Sequence, residues 1–539
     1  MKKKLLVLLL MVFPMLTFAQ EKGLDQKIDA AFQPVSDFFS NLIFFTIPIA
    51  GIDVPFVLLL LVGSALFFTI YFKFPNIFHF KTAINVVRGK YDELDQHVAG
   101  DPVLAIGGDI KGTIKDESTE GEVTHFQALA TAVSGTVGNG NIAGVALAIA
   151  LGGPGATFWM VVCGFLGMST KFVECTLGVQ YRDVGEDGTV YGGPMYYISK
   201  GLKERGFETF GKIVAVIFAI FCIGGSFGGG NAAQSNQATV VLKELMGLES
   251  SGAGFWIGVV MAIVVGVIII GGIKRIASVT EKVVPFMAVL YLLACLYILG
   301  ANFSLIDDAF SLIFREAFNP TAIGVGGVIG VLLVGFKRAA FSNEAGAGSA
   351  SIAHSAVKTK YSASEGLVAL LEPFIDTVVI CTMTALVIII FNFGGDASGA
   401  TIFQYGGDGA GAVLIDGVSY EGAGITSKAF AQYIPYSNVF LTVAVVLFAV
   451  STMISWSYYG LQSWKFLFGR GKAADMTYKL LFLLFVVIGA SASMKSIWAF
   501  SDAMIFAMVF PNMVGLYFLF PVVKEQLKRY TDAIKESKA

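Results

Sequence analysis

Residues 134–141 read SGTVGNGN, inside an otherwise apolar stretch running from about Phe126 to Leu151. Glycine, carboxamide and hydroxyl side chains here surround every face of what would be a helix. Small residues let membrane helices pack closely, and that accounts for Gly63, Gly164 and Gly167. It does not account for a run spread round the whole axis, so the spacing predicts an unwound segment. Such a segment exposes main-chain N–H and C=O groups, which lipid cannot satisfy and which survive only in a protein-lined cavity or buried in protein. The chemistry on offer is binding by the backbone, with glycine required because a Cβ would hold a ligand off.

A second stretch of the same kind lies about 200 residues later: KRAAFSNEAGAGSASIAH, 337–354. Lys337, Arg338, Glu344 and His354 join Ser342, Asn343, Gly346 and Gly348 in a region otherwise able to span. Ionisable groups at membrane depth are costly and usually functional. Two interrupted helices at matching places in two halves are the sequence pointer to a secondary transporter with a site near the midplane.

The elements that must position these breaks follow from composition. Of 539 residues, 55% are hydrophobic and 14% charged, with 47 Phe and a mean hydropathy of +0.73. An ordinary soluble domain carries about 25% charged residues, so this is a polytopic membrane chain. A net charge of −2 gives no nucleic-acid signature, and no protein partner is indicated. Cys163, Cys175, Cys222, Cys295 and Cys381 all fall in apolar runs with no metal-ligand spacing; they read as small buried hydrophobes. His79, His97, His125 and His354 are scattered, and no nucleophile, base or metal cluster marks an enzyme. A channel would show rings of repeated polar residues instead.

Residues 1–19 read as a signal peptide, with three lysines, an apolar core and Ala19 at the cleavage site; an uncleaved anchor is the alternative. Residues 20–52 form an extracytoplasmic or interfacial lead-in. Eleven spans are expected, at about 53–72, 125–150, 156–180, 211–242, 254–273, 283–300, 320–355, 365–391, 437–466, 477–494 and 498–522, with a cytoplasmic tail at 523–539. With the mature N-terminus outside, the inner loops and tail hold 25 Lys or Arg and the outer loops 6, the bias that the positive-inside rule demands. The first break opens a set of five spans (125–300) and the second another five (320–522). An odd number per set inverts the second relative to the first. The fold class is therefore an all-α polytopic membrane protein of eleven transmembrane helices, a five-plus-five inverted repeat with one extra N-terminal helix at 53–72.

The segments FQALATAVSGTVGNGNIAGVALAIALGGPGATFWM (126–160), KFVECTLGVQYR (171–182), YGGPMYYI (191–198), GGIKRIASVTEKVVPFMAVLYLL (271–293), FSNEAGAGSASIAHSAVKT (341–359), EPFIDTVVICTMTALVI (372–388) and WSYYG (456–460) resemble the alanine or glycine:cation symporter family, also called the sodium:alanine symporters. They occur in family order over nearly the whole chain after residue 52. The resemblance implies a leucine-transporter-like fold of the amino acid-polyamine-organocation superfamily in a bacterial cytoplasmic (inner) membrane. It also implies import of a small neutral amino acid, alanine or glycine, with Na⁺ as coupling ion and no organic cofactor. Proton coupling, or another neutral amino acid such as glutamine, is the alternative. Asn139 departs from the usual GTGN, and Ala347 and Ser351 stand where NEAGLGSAPIAH has Leu and Pro.

On this resemblance, Gly135, Thr136, Gly138, Asn139, Gly140 and Asn141 hold substrate at the first break, and Ser342, Asn343 and Gly346 at the second. The half-helix N-terminus from Gly138 suits a carboxylate. Phe227, Asn231, Gln234, Phe341 and Trp456 are expected as pocket walls. The backbone of Ser134 and Val137, the Phe448 carbonyl and the Ser451 and Thr452 hydroxyls are expected to hold Na⁺; the i, i+3, i+4 spacing of the last three keeps them on one face. Glu372 and Asp376 are expected to pair with Lys337 or Arg338, with proton carriage as the alternative. Glu344 is expected to brace the second break, and Glu174 to serve as a gate or packing charge. The Gly-rich loop 392–427 holds Asp residues without Ca²⁺-ligand spacing.

Overall fold

The computed structural model describes residues 24–49, 51–95, 121–185, 188–248, 250, 252–320, 327–394, 401–406, 409 and 411–537. The signal-peptide expectation at 1–19 lies outside them. The first described helix, α1 (Leu24–Ile43), leads through the β1–β2 hairpin (Thr46–Ile49, Ile52–Pro55) into α2 (Phe56–Tyr71).

The first broken helix is α3 (His125–Thr136), a π-helical turn at Gly140–Gly144, and α4 (Val145–Gly152); its two halves are bent by 51°. Next come α5 (Gly155–Gln180), the short hairpin β3–β4 (Asp183–Val184, Val190–Tyr191) and α6 (Pro194–Glu204). One apolar helix of 39 residues follows, made of α7 (Glu208–Phe227), a π turn at Gly228–Ala232 and α8 (Ala233–Met246). Then come α9 (Ala253–Ile269), α10 (Gly272–Ala301) and α11 (Ile306–Phe318).

The second broken helix is α12 (Gly327–Asn343), a non-helical stretch at 344–349, and α13 (Ala350–His354). The chain continues through α14 (Ser362–Ala369), Leu371–Pro373, a long π segment at Phe374–Cys381 and α15 (Thr382–Asn392). In the described part of the loop 392–427 lie the hairpin β5–β6 (Val413–Ile415, Val418–Tyr420) and the start of α16 (Ala423–Ala431). The last three helices are α17 (Ser437–Phe468), α18 (Lys472–Ser491) and α19 (Met494–Glu536).

Among the described residues seven helices are long and apolar enough to cross a membrane, or eight with the bent α3–α4 pair; α2 and α9 are shorter apolar helices. The chain is thus a mostly helical, multi-span membrane protein. Three boundaries differ from the sequence reading. The expected inner loop at 274–282 is helical, because the turn is made earlier, at Gly271 and Gly272, the latter at φ +68°; Lys274, Arg275 and Lys282 therefore ride on the first turns of α10. The tail from 523 continues α19 to Glu536. The lead-in packs on the body: Phe32 sets its ring edge-on to Phe500 at 5.1 Å, and Ser36 Oγ donates to the Ser496 carbonyl at 2.8 Å.

The start of the first broken helix and the end of the second are tied to each other in the core. Val123 and Val357 form a parallel bridge, with the Lys358 N–H donating to the Val123 carbonyl at 2.9 Å. A capping box at Thr124 and Gln127 then starts α3, satisfying N–H groups that a helix start leaves open. The unwound segments themselves meet where Gly140 faces Ser342, and both reach Asp376 of the π segment.

Candidate functional site

α3 stops because Val137 turns out of the helix, at ψ 88°. Past it, Gly138 N–H donates to Asn141 Oδ1 at 2.9 Å and Asn139 N–H to Gln234 Oε1 at 2.9 Å. Side chains, rather than the next turn, thus satisfy the donors freed by the break. Among the described residues no backbone N–H donates to the carbonyls of Gly135, Thr136 or Val137, and the Gly140 N–H has no acceptor. Asn139 Nδ2 donates to the Gln234 carbonyl at 3.2 Å, leaving its buried Oδ1 without a partner. Thr136 differs from its neighbours: its hydroxyl bonds back to Ala132 and Val133 of its own helix.

Glycine is needed at Gly138 for a packing reason. A Cβ there would lie 2.4 Å from Thr452 Oγ1 and 3.0 Å from Gln234 Oε1. At Gly135 it would lie 2.9 Å from the Tyr459 hydroxyl, which is itself buried and unpartnered. Gly140 faces Ser342, whose Oγ would be 3.3 Å from such a carbon.

α17 meets the end of α3 through reciprocal hydrogen bonds. Thr452 Oγ1 donates to the Ser134 carbonyl at 3.0 Å, and Ser134 Oγ to the Ser451 carbonyl at 2.8 Å. Ser451 Oγ bonds back to the Phe448 carbonyl at 3.0 Å. The structure therefore gathers oxygens of Ser134, Phe448, Ser451 and Thr452, with Gly138 packed against Thr452, donors of the kind a hard cation takes; Ser451 Oγ also reaches Met287 Sδ at 3.5 Å.

The second break ends in a left-handed residue, Glu344, at φ 55°, a conformation unusual for a residue with a Cβ. Its carboxylate accepts from Ser349 Oγ and, at 2.9 Å, from Trp456 Nε1, so it braces this backbone. Asn343 caps the turn, its Oδ1 taking the Ala345 N–H at 3.0 Å and its Nδ2 reaching Thr377 at 2.9 Å. Gly346, at φ +95°, packs against Met513 and Leu61, and its carbonyl accepts from Asn512; it lies on the side of α19 and α2.

Trp456 is fully buried and lies over Gly230, where a Cβ would fall 2.1 Å from its ring. Phe341 stacks on Trp498 at 5.0 Å. Two expected walls are turned elsewhere. Phe227 stacks on Phe485 at 4.5 Å and on Tyr478 at 5.7 Å, and Asn231 Nδ2 donates to the Phe482 carbonyl at 2.6 Å. Both face α18; Asn231 lies within the π turn at Gly228–Ala232, and Gln234, just past it, points at the break.

The expected pairing of Glu372 and Asp376 with Lys337 or Arg338 is not what forms. From Phe374 the helix widens to i→i+5 bonding, and the two carboxylates part. Glu372 Oε1 takes Lys171 Nζ at 3.1 Å, and its Oε2 lies 3.6 Å from His354 Nε2. His354 Nδ1 meets Glu365 at 2.5 Å, and Glu365 also binds His125, the first residue of α3. This buried ionic chain runs from α3 through α14 and α13 to α5. Lys337 and Arg338 both pair instead with Asp502 of α19, Lys337 at 3.0 Å. Asp376 turns inward to Asn141, Ser342 and Thr377. Glu174 holds Asn512 at 2.6 Å. Sequence reasoning missed Thr377, Tyr459 and Cys381, whose Sγ accepts from Asn141 Nδ2 at 3.3 Å; only the polar run EPFIDT hinted at the first.

A sequence profile of the sodium:alanine symporter family matches residues 43–539. The sodium/alanine symporter AgcS of Methanococcus maripaludis is 38% identical over 482 residues, covering 89% of this chain and 95% of that protein. The probable sodium/glutamine symporter GlnT of Bacillus subtilis is 32% identical over 421 residues, covering 78% and 81%. Among solved structures, MhsT in complex with L-phenylalanine aligns over 75% of this chain and 99% of its own, at 14% identity and a TM-score of 0.47. With a matching profile over nearly the whole chain and a relative this similar from end to end, the protein belongs to the sodium:alanine symporter family.

Proposed function

We propose that the protein imports small neutral amino acids, alanine or glycine, by sodium-coupled alternating access. In this reading its eleven spans form two inverted five-helix repeats after an extra first helix, in a bacterial inner membrane with the mature N-terminus outside. The observation that carries it is the meeting of α3 and α17 at Ser134 and Thr452, beside main-chain groups left open by the break.

The substrate carboxylate binds the start of the half-helix, where the Gly140 N–H is free and the helix dipole is positive. The ammonium binds on the other side, to the Asn139 Oδ1 and to carbonyls released at Thr136 and Val137. Sodium is held by the carbonyls of Ser134, Val137 and Phe448 with the hydroxyls of Ser451 and Thr452. Ser342 faces Gly140 across the pocket, while Trp456 and Phe341 limit the space for an aliphatic side chain. Sodium and substrate then order the same unwound turn, so each raises the affinity for the other.

Uptake of labelled alanine, glycine and glutamine into proteoliposomes tests this, with an imposed Na⁺ gradient against an H⁺ gradient. Accumulation of alanine or glycine driven by Na⁺ is expected. Uptake indifferent to Na⁺ sinks the coupling, and glutamine transported in preference to both corrects the substrate.

A further inference from the structure

Nearly all of α1 precedes residue 43, where the family match begins, so its packing is a feature that the match does not cover. The helix lies along the start of α19 and is joined to it at several levels. Asp29 Oδ1 accepts from the Ser493 N–H at 3.0 Å and from its hydroxyl at 2.7 Å, and Ser36 Oγ donates to the Ser496 carbonyl at 2.8 Å. Phe32 and Phe39 both flank Phe500, with ring centres 5.1 and 6.2 Å from it. Packed aromatic pairs of this kind add to what their buried area contributes, so α1 and the first turns of α19 hold together.

Toward α8 the same helix offers less. Asp25 Oδ2 meets Lys243 Nζ at 3.3 Å, with the two side chains 15% and 31% exposed. A partly exposed ion pair contributes little and is readily released. Beside it, a cavity of about 300 Å³ parts α1 and α19 from α8, lined by Asp25, Asp29 and Ser493 on one side and by Asn236, Thr239 and Val240 on the other. Deeper in, α19 passes the π turn between α7 and α8 across Gly228 and Gly229, where a Cβ would lie 3.0 Å from Phe500 and 2.4 Å from Ile505. Two glycines leave that seam without side chains to interlock.

This cleft divides the supports of the two breaks. α8 holds the first break through Gln234, which takes the Asn139 N–H. α19 holds the second, through Trp498 stacked on Phe341 and Asp502 paired with Lys337 and Arg338. Spreading α8 from α19 at this end therefore parts the breaks. We propose that α1 and the start of α19 move as one body, and that Asp25 and Lys243 form a latch that closes this body on α8 over the site. The latch rests on the alternating-access reading above, in which this end of the bundle is the outer one.

Because all five native cysteines are buried, introduced pairs can be joined by a short bis-methanethiosulfonate reagent, which a reductant removes. In proteoliposomes, joining the pair Asp25→Cys/Lys243→Cys should cut Na⁺-driven alanine uptake at least about tenfold, since the cycle then lacks its gating motion, and reduction should restore it. Joining Asp29→Cys/Ser493→Cys, within the moving body, should leave uptake unchanged. A second readout needs no transport: labelling of Val240→Cys by a maleimide in detergent. Asp25→Asn and Lys243→Gln should each speed it about two- to fivefold, the scale of one partly exposed ion pair. The exchange Asp25→Lys/Lys243→Asp should bring back the slow rate. Uptake that survives the link between residues 25 and 243, or labelling equal in all these forms, overturns the latch. Uptake lost on joining residues 29 and 493 overturns the movement as one body. If the unaltered chain accumulates no amino acid under either a Na⁺ or an H⁺ gradient, the proposed function falls, and the labelling rates alone decide the latch.

Discussion

The Thr452 hydroxyl donates to the Ser134 carbonyl at 3.0 Å, across 318 residues of sequence. It is the point where the end of one broken half-helix is stitched to the middle of the long helix α17. Ser134 answers through its own hydroxyl to the Ser451 carbonyl. Residues that close, all with oxygen turned inward, make the junction sensitive to the loss of a single atom.

Removing both hydroxyls, as Ser451→Ala/Thr452→Ala, should raise the Na⁺ concentration for half-maximal alanine uptake at least about tenfold, as expected from one or two lost contacts to a charge. Maximal uptake at saturating Na⁺ should fall much less. A Na⁺ titration of initial rates at fixed alanine checks this.

Gly138→Ala places a methyl 2.4 Å from Thr452 Oγ1. Overpacking of this kind costs about 1–3 kcal/mol, and here it also pushes α17 away from the unwound turn. Alanine binding should be lost while the protein still purifies as a monodisperse species with a lowered melting temperature. Scintillation-proximity binding and a thermal melt together separate the two effects.

Lys171 and Glu372 are both fully buried and 3.1 Å apart. Lys171→Met leaves a buried carboxylate short of its main partner and should destabilise the protein by about 3–5 kcal/mol. Lys171→Met/Glu372→Leu should recover a large part of that loss. Thermal denaturation of the two single variants and the double variant, analysed as a cycle, measures the coupling.

All five native cysteines are buried, so an introduced thiol can be read over a quiet background. Tyr436, 87% exposed, should as Tyr436→Cys react with an impermeant maleimide added outside intact cells. Lys472→Cys, exposed at the start of α18, should react only after the membrane is opened. The reverse pattern would invert the proposed orientation.

What could be read from the chain alone was whatever a local run of residues determines. SGTVGNGN and SNEAGAGS declare their breaks because glycine, Asn and Ser cannot sustain an apolar helix surface, and the spacing of Phe448, Ser451 and Thr452 puts them on one face. Directions set by distant partners were not legible. Asn231 sits among polar residues that point to the break, yet a π turn aims it at Phe482. Glu372 and Asp376 stand four apart, yet their partners come from α5, α13 and both breaks. Lys337 and Arg338 find Asp502 more than 160 residues on. Such pairings depend on which helices become neighbours, and no local pattern encodes that.

The ionic chain from His125 through Glu365, His354 and Glu372 to Lys171 has a mechanical meaning. It rivets the foot of the first broken helix to the foot of the second and to two of the helices beside them. Opening one link exposes an unanswered charge to its neighbours, so the assembly resists being pulled apart piecemeal. The feet of these helices behave as one stiff plate, and bending is left to the glycine-rich joints above. On the proposed function, the hinge then lies at the unwound turns assigned to the substrate, so what is being carried would also set the angle.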